Sequence, residues 1–169
     1  MCIRDRLKAS NNIDISTNIS FSKNKNIDYK TNFNGLVTNW GDTDISFSPN
    51  LISSVGFNYS PKKDLNISIL NKFVGDQYMS NTESVVSKLS SYSTTDLNFI
   101  YSFKKSKYFN EIIFTAMLNN IFNKEYVSNG YYYTYDDTWS DPNIVTTIEG
   151  TGYYPQAKRN FLIGFTFKL

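Results

Sequence analysis

The chain has 169 residues, a formal net charge of +2, 17% aromatic and only 19% charged residues, and a mean hydropathy of −0.39. So mild a charge, with no Lys/Arg cluster interleaved with aromatics on one face, argues against nucleic acid as a partner. The absence of histidine removes the commonest general base, the Ser-His and Cys-His nucleophile systems and most zinc designs, so enzyme and cofactor readings have little to build on.

The abundant Asn, Ser, Thr, Tyr, Phe and Ile are turn and strand formers, and helix is disfavoured throughout. No run of 18 apolar residues forms a transmembrane helix, and Met1–Ser10 has no apolar signal region. The lone Cys2 has no internal disulfide partner. Met1-Cys2-Ile3-Arg4-Asp5-Arg6 resembles a translated adaptor, so residues 1–10 are set aside as an artefactual or truncated end. The fold reading covers residues 11–169.

Period-2 alternation then dominates. Ile13, Ile15, Ile19 and Phe21 share one face of a first strand, with Asp14, Ser16, Asn18 and Ser20 on the other. Leu51, Val55, Phe57 and Tyr59 mark a second strand, which a short turn, Ser60 to Asp64, joins to a third carrying Leu65, Ile67, Ile69 and Phe73. A fourth holds Leu97, Phe99, Tyr101 and Phe103. After a short link, Lys104 to Asn110, a fifth runs from Ile112 to Phe122. The sixth spans Phe161 to Leu169. Long connections, Thr31 to Ser46, Gly75 to Ser91 and Val127 to Arg159, alternate with the short ones, as extracellular loops and periplasmic turns do in transmembrane barrels.

One apolar face suits either lipid or a dry protein interior, as in a β-sandwich or lipocalin. Lipid is favoured by strands near the 9 to 11 residues that a tilted membrane crossing needs. It is also favoured by aromatics near strand ends (Tyr59, Phe73, Tyr92, Tyr101, Phe103, Phe122, Tyr126), placed like interfacial girdles. The expected fold is an all-β antiparallel meander of about six long strands. Six strands cannot close a barrel in lipid, so the chain is expected to be a fragment of a larger barrel or else the protomer of an oligomeric one, and the adaptor-like N-terminus favours the fragment.

Phe161, Ile163, Phe165, Phe167 and Leu169 form an uninterrupted apolar face that looks like the signal read by outer-membrane barrel-assembly machinery. Asn119-Asn120-Ile121-Phe122-Asn123-Lys124-Glu125-Tyr126 is similar to the Asn-Leu-Phe-Asn/Asp-x-x-Tyr pattern of TonB-dependent receptors, with Ile121 in place of Leu. Tyr154-Pro155-Gln156-Ala157-Lys158-Arg159-Asn160-Phe161 resembles that family's Pro-x-x-x-Arg-x-Phe entry to the last strand. Pro49 to Pro61 and Gly75-x-x-Tyr78 are weaker members of the pattern, and the resemblance covers residues 49–169. It implies the C-terminal part of a 22-stranded barrel in a Gram-negative outer membrane. In the complete receptor a plug and a TonB-contacting segment, neither in this chain, serve import of iron chelates, cobalamin or glycans.

Tyr131, Tyr132, Tyr133, Tyr135 and Trp139, with Asp136 and Asp137, form a candidate extracellular ligand loop, since flat amphipathic rings and carboxylates suit a sugar or siderophore. The same rings could instead pack the loop against its neighbours. Asp136, Asp137 and Asp141 lack the spacing of a calcium loop and read as solvated acids. Three function classes stay open: a TonB-dependent importer, a plug-less structural or adhesive outer-membrane barrel, and a soluble β-sheet ligand-binding module.

Overall fold

The computed structural model describes every residue except 34, 105–107 and 141–143. Its strands are β1 Cys2–Lys8, β2 Ile13–Phe21, β3 Lys25–Phe33, β4 Leu36–Asp44, β5 Leu51–Lys62, β6 Leu65–Val74, β7 Gln77–Tyr78, β8 Lys88–Leu89, β9 Tyr92–Lys104, β10 Glu111–Asn119, β11 Val127–Asp137, β12 Thr146–Pro155 and β13 Asn160–Lys168. Seven of them make one antiparallel sheet in the order β1-β2-β5-β6-β9-β10-β13. The ribbons β3–β4, β7–β8 and β11–β12 are inserted at one end of that meander.

Six of the seven sheet strands are those read from the alternation, and their lengths run from 9 to 13 residues. Several boundaries differ. Residues Cys2–Lys8, excluded from the sequence reading, form an edge strand registered from Cys2 opposite Ser20 to Lys8 opposite Asp14. All seven of its residues are exposed, so backbone pairing to an open edge carries the strand, and that needs no particular side chains. The turn expected over Ser60 to Asp64 is tighter. Here β5 continues to Lys62, and a register slip between Tyr59 and Lys62 absorbs the extra residues, as bulges do. Strand β10 stops at Asn119, which leaves Phe122 and Tyr126 beyond it. The link after Lys104 lies partly outside the described residues.

The long connections carry secondary structure of their own. Most of Thr31 to Ser46 lies in the β3–β4 hairpin, and most of Val127 to Arg159 in β11–β12. Gly75 to Ser91 holds β7, β8 and a 3-10 turn at Val85–Ser87. Strands with polar residues and tyrosines on both faces carry little hydrophobic alternation, so Thr and Tyr propensity is their main trace in sequence.

Register turns the alternation into continuous rows. One row crosses all seven strands as Leu7, Ile15, Phe57, Ile69, Leu97, Leu118 and Phe161. The next holds Ile13, Tyr59, Ile67, Phe99, Ala116 and Ile163. Two more follow toward the short turns, Leu65-Tyr101-Phe114-Phe165 and Phe103-Ile112-Phe167. Four rows spaced two residues apart cover about 20 Å along the strands, close to the roughly 25 Å apolar band of a transmembrane barrel. The row beyond, Asp5-Thr17-Val55-Asn71-Thr95, is polar except for Val55, and in it Asn71 Nδ2 donates to Ser93 Oγ at 3.0 Å, Thr95 Oγ1 at 2.8 Å and the Thr94 carbonyl at 3.1 Å. The opposite face is mostly Ser, Asn, Thr and Asp, interrupted by Ile52, Leu70, Val74, Ile100, Ile113, Met117 and Leu162.

Among the described residues no second protein layer covers the apolar rows. Phe57, Ile69, Phe161, Ile163, Phe165 and Phe167 are all exposed. The surface totals 11965 Å², against about 8,500 Å² for a globular domain of this mass. Among the described residues the only buried hydrophobic side chains are Val74, Met79 and Leu89, and these lie where the sheet meets its ribbons. A self-contained sandwich or lipocalin would bury these rows between layers, which is the reverse of what is seen.

Candidate functional site

The ribbon end of the sheet is the most elaborated part of the molecule, and its base is a knot tied by Asn120. This residue is 4% exposed and takes a left-handed φ of 51°, a conformation that Asn tolerates because its short amide bonds locally. Its N–H donates to Asp96 Oδ1 at 2.8 Å, its Nδ2 to the Lys124 carbonyl at 2.8 Å and the Ala157 carbonyl at 3.4 Å, and its Oδ1 accepts from Lys124 N at 2.9 Å. Asn123, also left-handed at φ 55°, accepts the Arg159 N–H at 3.1 Å. Through its backbone N–H and its side-chain amide, this one residue joins β9, the end of β10 and the approach to β13.

The sequence motif residues occupy this knot in different ways. Tyr126 stacks on Tyr92 at 4.4 Å between ring centroids, and its carbonyl accepts the Gln156 N–H at 3.0 Å. Pro155 pairs with Val127 at the base of the β11–β12 ribbon. Phe122 points outward, 76% exposed. Glu125 and Lys158 form an ion pair, and the Lys158 ammonium holds the Glu125 carboxyl below its ordinary range. The motif is therefore an architectural clamp between the last strands.

Above the knot the three ribbons are linked to one another. Backbone N–H groups of Asp44 and Ser46 donate to Glu83 and Asn81, the latter at 2.7 Å. Lys25 lies 3.5 Å from Asp44 and 3.9 Å from Glu83. Those contacts fasten the β3–β4 hairpin to the segment between β7 and β8. That segment is held from the other side by β11–β12: Tyr153 Oη donates to the Val86 carbonyl at 3.5 Å, and Tyr132 Oη donates to Glu149 Oε1 at 2.5 Å beside Ser84. Inside the junction Ser80 and Ser87 share a hydroxyl hydrogen bond of 2.9 Å.

The expected ligand loop resolves into two unlike faces, because consecutive strand residues point to opposite sides. Tyr132 and Asp136 lie on the inner face with Gly130, where a Cβ would come 2.6 Å from Met79 Sδ. Tyr131, Tyr133 and Tyr135 lie on the outer face, each about half exposed, with Tyr154 beside them on β12. Asp136 bonds to Thr147 Oγ1 at 2.8 Å. Asp137 accepts from Ser140 Oγ at 2.6 Å and Trp139 N at 2.9 Å, contacts that depress its pKa, the Ser140 hydroxyl most. The two carboxylates therefore brace their own hairpin and do not converge on a shared site. Trp139 stands at the tip, 92% exposed. Asp141 lies outside the described residues, and among those described no cluster of potential metal ligands occurs.

Sequence reading missed Gly150 and Gly152. They sit opposite Tyr133 and Tyr131, and a Cβ on either would collide with the facing ring. The Gly-x-Gly spacing facing a Tyr-x-Tyr was the available signal, but it has meaning only once the strands are paired.

No protein-family model and no curated protein matches the chain. Solved structures do. The siderophore receptor PiuA from Acinetobacter baumannii matches with a TM-score of 0.69 at 14% identity, over 96% of this chain and 20% of its own. The ferric-catecholate import receptor Fiu from E. coli K12 matches with a TM-score of 0.59 at 13% identity, over 97% and 19%. The ferric citrate transporter FecA in its unliganded form matches with a TM-score of 0.59 at 14% identity, over 91% and 20%. This chain spans about a fifth of the length of those proteins. At such identities the likeness is one of fold: an open, all-β antiparallel sheet of the kind that forms part of a barrel.

Proposed function

We propose that the chain is the C-terminal barrel segment of a TonB-dependent receptor, an active importer of a siderophore, cobalamin or glycan in the outer membrane of a Gram-negative bacterium. The observation that carries this reading is the four-row apolar belt left open to solvent on a sheet that is itself unclosed. Such a belt is stable only if hydrocarbon covers it, and its edge amides are satisfied only if further strands complete a cylinder. No helix among the described residues is long and apolar enough to cross a membrane, so any crossing is made by strands.

In this reading the sheet is part of a 22-stranded barrel. A plug and a TonB-contacting segment outside these 169 residues couple transport to the energised inner membrane. The barrel-assembly machinery engages the strand Phe161 to Leu169, lipid covers its apolar face, and the ribbon layer faces the exterior. The role is transport, not catalysis, and needs no resident cofactor.

Expression of the complete reading frame tests this directly. The protein should resist carbonate extraction, migrate differently before and after boiling, and support nutrient uptake that disappears without TonB. Release by carbonate with unchanged migration would refute the membrane placement. A reading frame that starts straight into further hairpins, without a plug, would refute the receptor.

A further inference from the structure

We propose that the outer face of the β11–β12 hairpin is a binding platform for an extended, uncharged saccharide chain. This deepens the reading above by naming a ligand class for the ribbon layer. Its rings form a series: Tyr154 to Tyr131, Tyr131 to Tyr133 and Tyr133 to Tyr135 have centroid separations of 6.2, 6.2 and 6.3 Å. The last two pairs are nearly parallel, at 24° and 18°. Their spacing matches the two-residue repeat of a strand, so the rings lie side by side along β11.

The glycines set this geometry. Tyr131 and Tyr133 reach across the ribbon and rest on the bare backbone of Gly152 and Gly150, in space that any Cβ would fill. One ring face is thereby covered by peptide and the other is left to solvent, consistent with exposures of 52% and 49%. A flat row of phenol rings offers apolar faces to the C–H faces of pyranose rings, while the hydroxyls at its rim exchange hydrogen bonds with sugar hydroxyls.

Charge selects among flat ligands. The positions sharing this face besides the tyrosines and glycines are Asn129, Asp137, Thr146 and Ile148. None is a cation, and the one acid is occupied by its own turn. A negatively charged iron chelate would find no countercharge on the platform, whereas a neutral sugar chain needs none. The regular ring spacing further suits a repeating, extended ligand over a single compact one.

The test is isothermal titration of the intact protein in a sugar-free zwitterionic detergent, with cellohexaose as the neutral flat probe and a ferric catecholate as the anionic one. Cellohexaose should bind the wild type. Tyr133→Ala should weaken it roughly tenfold, the scale of one lost aromatic contact. Tyr133→Phe should retain most of the affinity, and Gly150→Val, which lifts the ring without removing it, should behave like Tyr133→Ala. Heat-dependent migration identifies variants that fail to fold. Absence of cellohexaose binding in wild type, binding indifferent to both Tyr133→Ala and Gly150→Val, or a ferric catecholate whose binding depends on Tyr133 would each overturn the proposal. Membrane extraction and uptake are read separately, so loss of the receptor reading and loss of the saccharide site give different results.

Discussion

Tyr132 Oη donates a 2.5 Å hydrogen bond to Glu149 Oε1 from the neighbouring strand, closing the inner face of the β11–β12 ribbon over Ser84. The phenol and the Ser84 hydroxyl hold the Glu149 carboxyl below its ordinary value, the phenol more strongly. Burial and then the Glu149 interaction push the Tyr132 phenol up. For a depressed carboxylate, the stabilisation is present above the unfolded pKa, about 4.3, and is lost as pH falls through the folded value. For a raised phenol, it is present below about 10 and lost as pH rises through the folded value. Hydrogen-exchange protection factors at residues 130–134 should therefore be high and flat between these limits and fall outside both. In Glu149→Gln the acid limb should disappear, and its persistence would assign the acid sensitivity to another group.

The apolar belt predicts a face-specific response to charge on the last strand. Phe165 lies in a belt row beside Phe114, at 5.1 Å between ring centroids, and Thr166 points to the other face. Phe165→Arg should cost about 2–4 kcal/mol, the penalty for a cation near the middle of the lipid face, and should cut the yield of folded barrel. Thr166→Lys should assemble near the wild-type level. Equal yields from the two variants would show that the sheet faces are misassigned.

Asn120 combines a left-handed backbone with hydrogen bonds to three segments, and two substitutions separate these contributions. Asn120→Gly keeps the backbone conformation accessible and loses the side-chain bonds, which leaves the Lys124 N–H short of a partner at about 1–3 kcal/mol. Asn120→Ala loses the same bonds and adds the strain of a positive φ, on the order of 1 kcal/mol more. Thermal unfolding should rank wild type above Gly and Gly above Ala. An Ala variant as stable as Gly would show that backbone strain plays no part.

Glu83 couples two ribbons through the Asp44 N–H and Lys25, and it holds a φ of 53°. Glu83→Gly should relieve that backbone cost while freeing the β3–β4 hairpin, so global stability should change by less than about 1 kcal/mol. Local motion should change much more, with faster hydrogen exchange and proteolysis over residues 36–44. Unaltered protection there would mean that Asn81 and the Phe47 N–H bond to the Tyr78 carbonyl suffice to hold the hairpin.

What the sequence determined by itself was the sheet, because a strand that meets two different solvents must alternate. Ile13-x-Ile15 and Phe161-x-Ile163-x-Phe165-x-Phe167 state which residues share the apolar face before any partner strand is known. The Asn120 and Pro155 motifs were legible as patterns, but their meaning as a clamp needed the fold to bring Asp96, Lys124 and Ala157 onto one residue. The ribbons were hidden for the opposite reason: polar residues and tyrosines line both of their faces, so they carry little periodic contrast. The platform of Tyr131 and Tyr133 was decided only by tertiary structure, since a ring can lie flat only where the opposite strand places a residue without a Cβ. Cross-strand register, which local sequence does not encode, sets Gly152 and Gly150 at those points.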